Sequence, residues 1–122
     1  MHELSVVQSL FTLLEQYVTE HQATGVSLLK VKVGKLSGIE PSLLQFAFDT
    51  FKKGTIANNA ELILTVQDVV IECNSCRNQA TLSEFNFQCP ACHTTDVKVV
   101  AGEEMLLLSV ELDVPDHKGA KP

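Results

Sequence analysis

Positive charge is scarce in this chain and scarcest at its start: the first twenty-nine residues contain no Lys or Arg. The basic n-region of a secretory signal is therefore missing. No apolar run approaches the ~20 residues that a membrane-spanning helix needs. These absences lead to the expectation of a soluble, cytoplasmic protein without a membrane partner. Across 122 residues, 9 Lys and Arg stand against 15 Asp and Glu, a formal net charge of -6. A protein that tracks nucleic-acid phosphates carries the opposite balance, so no nucleic-acid partner is expected.

Thiols are also few, and their placement is the most informative feature of the chain. Cys73, Cys76, Cys89 and Cys92 are the only four, arranged as two Cys-x2-Cys pairs with twelve residues between them. Two residues between paired thiols allow a tight knuckle that aims both sulfurs at one ion, and the pattern reads as a tetrahedral zinc site. A disulfide framework would permit three pairings, but nothing marks the chain for export. A thioredoxin-like redox pair opens a helix after a buried strand, which neither pair does. A closed four-thiolate site has no open coordination position, so its zinc holds structure rather than performing chemistry. The function must be sought elsewhere.

At 45% hydrophobic, a chain of this length can bury one modest core and a small metal-held satellite. Apolar residues Leu4, Val7, Leu10, Phe11, Leu14, Tyr17 and Val18 recur at helical spacing, with Glu3 in the first turn and His21 and Gly25 at the exit. From Val26 to Gly34 the chain alternates, Leu29, Val31 and Val33 on one side and Lys30 and Lys32 on the other, as a half-buried strand does. After the loop from Gly34 to Pro41, a second helix runs to Phe51 or Lys53 with Leu43, Leu44, Ala47, Phe48 and Phe51 as its stripe. A second strand spans Glu61–Val66, with Leu62, Leu64 and Val66 facing in. A third spans Glu103–Val114, with Leu106, Leu108, Val110 and Leu112 on one face. The expected class is α+β: a small, three-stranded, mainly antiparallel sheet with two helices, formed by residues 1–68 and 101–114. The four-cysteine segment, 69–100, is an inserted zinc ribbon, and residues 115–122 form a flexible polar tail. The inserted segment has few large apolar residues besides Phe85, Phe87 and its flanking valines. Zinc must therefore supply its stability, and structural zinc contributes ~10–16 kcal/mol in comparable peptides.

The opening Met1-His2-Glu3 is the second chemical feature. A free α-amine, the amide nitrogen of His2 and its imidazole can hold one metal in fused chelate rings. Such nitrogen donors suit a square-planar ion, Ni(II) or Cu(II), whereas zinc prefers the tetrahedron that the cysteines already provide. Amide nitrogens at a helix start lack intrahelical partners and remain available. An imidazole binds metal only when neutral, with an ordinary pKa of about 6.5, so such a site weakens on acidification.

Three separated motifs carry a resemblance. Met1-His2-Glu3-Leu4-Ser5, Gly34-Lys35-Leu36-Ser37-Gly38-Ile39-Glu40-Pro41 and the Cys73, Cys76, Cys89-Pro90, Cys92 ribbon occur in the order found in the HypA/HybF family of hydrogenase-maturation nickel metallochaperones, which the chain resembles over residues 1 to about 112. The resemblance implies a nickel-binding α/β domain with an inserted zinc domain. It also implies delivery of nickel to the large subunit of a nickel-iron hydrogenase, together with an accessory GTPase. By position, His2 is the nickel ligand and Glu3 its neighbour, contributing through backbone, carboxylate or both. The four cysteines carry zinc. After Cys92 this chain has His93-Thr94-Thr95 where many relatives have Gly-Ser, which leaves the conformation of that knuckle open and His93 as either a solvated side chain or an additional donor.

Two other classes compete. Zinc ribbons often serve nucleic-acid or transcription machinery, yet around this ribbon only Arg77 and Lys98 are basic, against Glu72, Glu84 and Asp96. An enzyme could use Glu3, Glu40 or Asp49 as an acid and His21 as a base, but no nucleophile motif accompanies them.

Overall fold

The computed structural model describes residues 3–83 and 85–115. His2 and the tail beyond Pro115 lie outside the described residues. Helix α1, Glu3–Glu20, buries Val6, Val7, Leu10 and Leu14. Leu4 sits on the rim of that stripe and remains exposed. The helix ends in a Schellman turn: Gln22 adopts φ 54°, and the Ala23 N–H donates to the Val18 carbonyl at 2.9 Å. Gln22 thus fills the left-handed position that glycine usually takes, and Gly25 instead begins strand β1, Gly25–Gly34.

Helix α2, Pro41–Phe51, has Pro41 at its first turn, where the missing N–H costs nothing. It buries Leu44 and Phe48, while Leu43, Phe46 and Phe51 stay exposed. The Phe11 and Phe48 rings meet at 5.6 Å between centroids. Contact between Glu3 and Glu40 at the starts of the helices, and between Phe11 and Phe48 further along, shows that α1 and α2 run side by side in the same direction.

Strand β2, Glu61–Gln67, follows α2 and pairs with β1 in parallel, because a helical crossover between two strands returns the chain in the original direction. The last strand, Met105–Asp113, pairs with β1 antiparallel, so the sheet runs in the order β2, β1, last strand. Leu29, Val31 and Val33 of β1 are fully buried with Leu14, Leu44 and Phe48. Each such side chain contributes roughly 1.5–3 kcal/mol relative to exposure.

Alternation breaks in the last strand. Lys30 pairs with Ser109 and Val31 with Leu107, leaving Leu108 as an unpaired extra residue, a β-bulge. The bulge changes which residues face the helices: Met105 and Leu107 pack on the core before it, Val110 and Leu112 after it. Leu106 and Leu108 are exposed, so the single face expected from strict alternation is divided. Val66, near the end of β2, is also exposed rather than inward-facing.

Between β2 and the last strand the chain forms a second sheet from β3, Val69–Cys73, β4, Gln79–Leu82, and β5, Val97–Ala101; the last strand is accordingly β6. β3 is central and antiparallel to both neighbours. At the root of this sheet, Lys35 N–H donates to the Gln67 carbonyl, Leu36 N–H to the Gly102 carbonyl, and Lys35 Nζ meets Asp68 Oδ1 at 2.8 Å. The loop after β1 thus grips both points where the chain passes between the sheets.

Candidate metal centre

Each cysteine pair folds into the same knuckle. In the first, which ends β3, Cys73 Sγ accepts from the N–H groups of Ser75 and Cys76, both at 3.3 Å. The chain then turns through Arg77 at φ 67°, whose N–H donates to the Cys73 carbonyl at 3.0 Å. In the second, Cys89 Sγ accepts from Cys92 N–H at 3.5 Å, and His93, at φ 65°, donates its N–H to the Cys89 carbonyl at 2.8 Å. His93 therefore occupies the left-handed turn despite its side chain, a conformation that costs a non-glycine residue roughly 1–2 kcal/mol. Gln88 Nε2 donates to the His93 carbonyl at 2.8 Å and helps fix the turn.

The two knuckles face each other. Cys73 and Cys92 sulfurs lie 3.5 Å apart, Cys76 and Cys89 sulfurs 3.6 Å, and all four fall within 4.8 Å of one another. A disulfide needs about 2.05 Å, whereas four sulfurs around an ion at ~2.3 Å lie about 3.8 Å apart. The donor set, spacing and enclosure fit a tetrahedral soft or borderline cation such as zinc. Cys73 and Cys89 are buried and the other two lie toward solvent.

Proton affinity divides along the same lines. The Cys76 N–H, foremost among its hydrogen bonds, holds the Cys73 thiol down to about 6, against an ordinary 9.0. The Cys92 N–H chiefly lowers Cys89. For Cys92 the largest single influence, a backbone hydrogen bond from Thr94, is lowering, but Cys73, burial and the remaining thiols together push it up to about 12. Cys76 is likewise raised: burial and the neighbouring sulfurs outweigh a lowering backbone hydrogen bond from Asn78. Four thiolates cannot coexist without a cation, and a divalent ion among them removes the conflict.

The other candidates do not converge. Among the described residues, the cysteines form the only group of three or more His, Cys, Asp or Glu side chains able to share an ion. His21 Nδ1 is 2.9 Å from the Tyr17 carbonyl, and Asp49 is engaged by Gln45 and Lys52. Glu3 accepts from the Glu40 N–H at 3.0 Å, and Glu40 in turn caps α2 by accepting from Ser42 N–H and Oγ–H. The link from Glu3 to Glu40 was not anticipated. Proline at the first helical position marks Glu40 as the cap, but nothing in the sequence ties it to residue 3.

Comparison with known proteins decides the family. Residues 1–112 match the model of the family described as hydrogenase/urease nickel incorporation metallochaperone, HypA. The chain belongs to the HypA family. It is 45% identical over 114 residues to hydrogenase maturation factor HypA of Aquifex aeolicus, covering 93% of this chain and 99% of that one. The HypA of Shewanella oneidensis is 44% identical over 113 residues, covering 93% and 96% of the two chains. The solution structure of the Ni metallochaperone HypA from Helicobacter pylori superposes with TM-score 0.68 at 32% identity, over 94% of this chain and all of that one. The family description is of a metallochaperone of nickel incorporation, the named relatives are hydrogenase maturation factors, and this chain takes its place among them.

Proposed function

We propose that this HypA-family chain carries Ni2+ as cargo at its amino terminus and delivers it to the large subunit of a nickel-iron hydrogenase, with an accessory GTPase as working partner, in the cytoplasm. Zn2+ on Cys73, Cys76, Cys89 and Cys92 is the resident structural ion. The nickel-binding unit comprises residues 1–68 and 101–114, and the zinc-binding unit residues 69–100. The observation that carries this reading is the four-sulfur cluster in a member of a nickel-handling family: its geometry suits one ion and leaves no cysteine for another. Cargo nickel then requires donors of a different kind, and the α-amine, His2 and the backbone of Glu3 supply them at the extreme start of the chain.

The task is exchange, with no bond made or broken in a substrate. A terminal site with few protein ligands releases its ion quickly to a partner that offers more. A nucleic-acid role is disfavoured by the net charge of -6. The test is nickel titration of zinc-loaded protein with a free amino terminus beside its His2→Ala variant. The parent should bind one nickel and the variant should lose high-affinity binding with zinc content unchanged. Equal titrations would remove His2 from the site.

A further inference from the structure

Glu3 has a partner across the fold that bears on how the terminal site is held. In a complete capping box, the N-cap side chain accepts from the helix's first free amides, and a Glu or Gln three positions later reaches back to accept the N-cap N–H. Helix α2 has the first half: Glu40 Oε1 accepts from Ser42 N–H at 3.2 Å. Three positions after Glu40 stands Leu43, an exposed apolar side chain with no acceptor. The Glu40 N–H is instead taken by Glu3 Oε2, at 3.0 Å, from the first turn of α1.

We propose that Glu3 is a positioning residue whose carboxylate completes the α2 capping box from α1 and thereby fixes the point from which the first two residues present their nickel donors. This rests on the terminal nickel site proposed above and assigns the carboxylate to the fold rather than to the ion. Because the helices run side by side in the same direction, one negative charge serves two positive helix ends. Glu40 also ends the loop whose earlier residues, Lys35 and Leu36, are bonded to Gln67 and Gly102. The start of the chain is therefore tied to the element that grips the root of the second sheet.

Three variants test the assignment. In metal-free protein, Glu3→Ala should shift the Glu40 amide resonance and speed its hydrogen exchange, while Glu3→Gln, whose amide oxygen still accepts, should largely preserve both. In nickel titrations, Glu3→Ala should weaken affinity about fivefold to tenfold, and Glu3→Gln should recover it to within about twofold of the parent. Adding Leu43→Glu to Glu3→Ala restores a capping acceptor within α2 but not the tie to α1. That double variant should regain thermal stability without regaining nickel affinity. An unmoved Glu40 amide in Glu3→Ala would overturn the contact. Glu3→Gln as weak as Glu3→Ala would make the carboxylate a ligand, and recovery of nickel affinity in the double variant would reduce Glu3 to helix stability alone. Since the amide readings need no nickel, they stand apart from the His2→Ala titration, whose failure would instead remove the terminal site.

Discussion

At the scale of single residues, the thiols set how many protons a metal must displace. Cys73 is depressed to about 6 by the Cys76 N–H, and Cys89 is also lowered, whereas Cys76 and Cys92 are raised. A depressed thiol stays ionised above its folded pKa and loses that advantage as pH falls through it. Around neutral pH, zinc binding should therefore release about two to three protons, and below pH about 6 the protonation of Cys73 adds another. Competition against a chromophoric chelator should show log K for zinc falling with a slope of about two to three near pH 7 and steepening below 6. A slope of about four throughout would mean four ordinary thiols, as in a segment whose knuckles form only when zinc binds. The cysteine spacing was legible because metal chemistry dictates it. The left-handed turns at Arg77 and His93 were not, since neither residue favours that conformation and a glycine would have been the usual sign.

At the scale of elements, helical periodicity located both helices, because each covers one face of the sheet. Strand faces were harder to read. Strict alternation in β6 predicted one face, yet the extra residue at Leu108 exchanges the faces midway, and a bulge of this kind leaves no mark in an unbroken apolar run. The junction at the end of β1 depends on close backbone approach. A Cβ on Gly34 would stand 2.2 Å from the Gly102 carbonyl oxygen and 3.0 Å from that of Glu104, so main chain rather than a yielding side chain would have to move. Gly34→Ala should cost about 1–3 kcal/mol by overpacking. For a domain near this size, thermal denaturation should show a loss of roughly 5–10 °C, with weaker amide protection at Leu36, whose N–H the Gly102 carbonyl accepts, and at residue 34, whose N–H the Glu104 carbonyl accepts. An unchanged melting temperature would mean that the approach is looser than the structure has it.

At the scale of the whole molecule, two sheets share one continuous chain and meet through the loop after β1. The order of α1, β1, α2, β2 and β6 was readable in advance, whereas β3, β4 and β5 fall in the segment read only as a zinc ribbon. The direction in which β1 and β2 pair follows from α2 lying between them, whereas the ties of Lys35 and Leu36 to Gln67 and Gly102 join segments more than thirty residues apart and no local pattern announces them. The proposed division of labour gives one ion to sulfur and another to the amino terminus. X-ray absorption on protein loaded with both metals reads each ion's neighbours separately. The zinc edge should report four sulfurs at about 2.3 Å, and the nickel edge should report only nitrogen and oxygen donors, with zinc still in place. Sulfur in the nickel shell, or one zinc lost for each nickel gained, would contradict it.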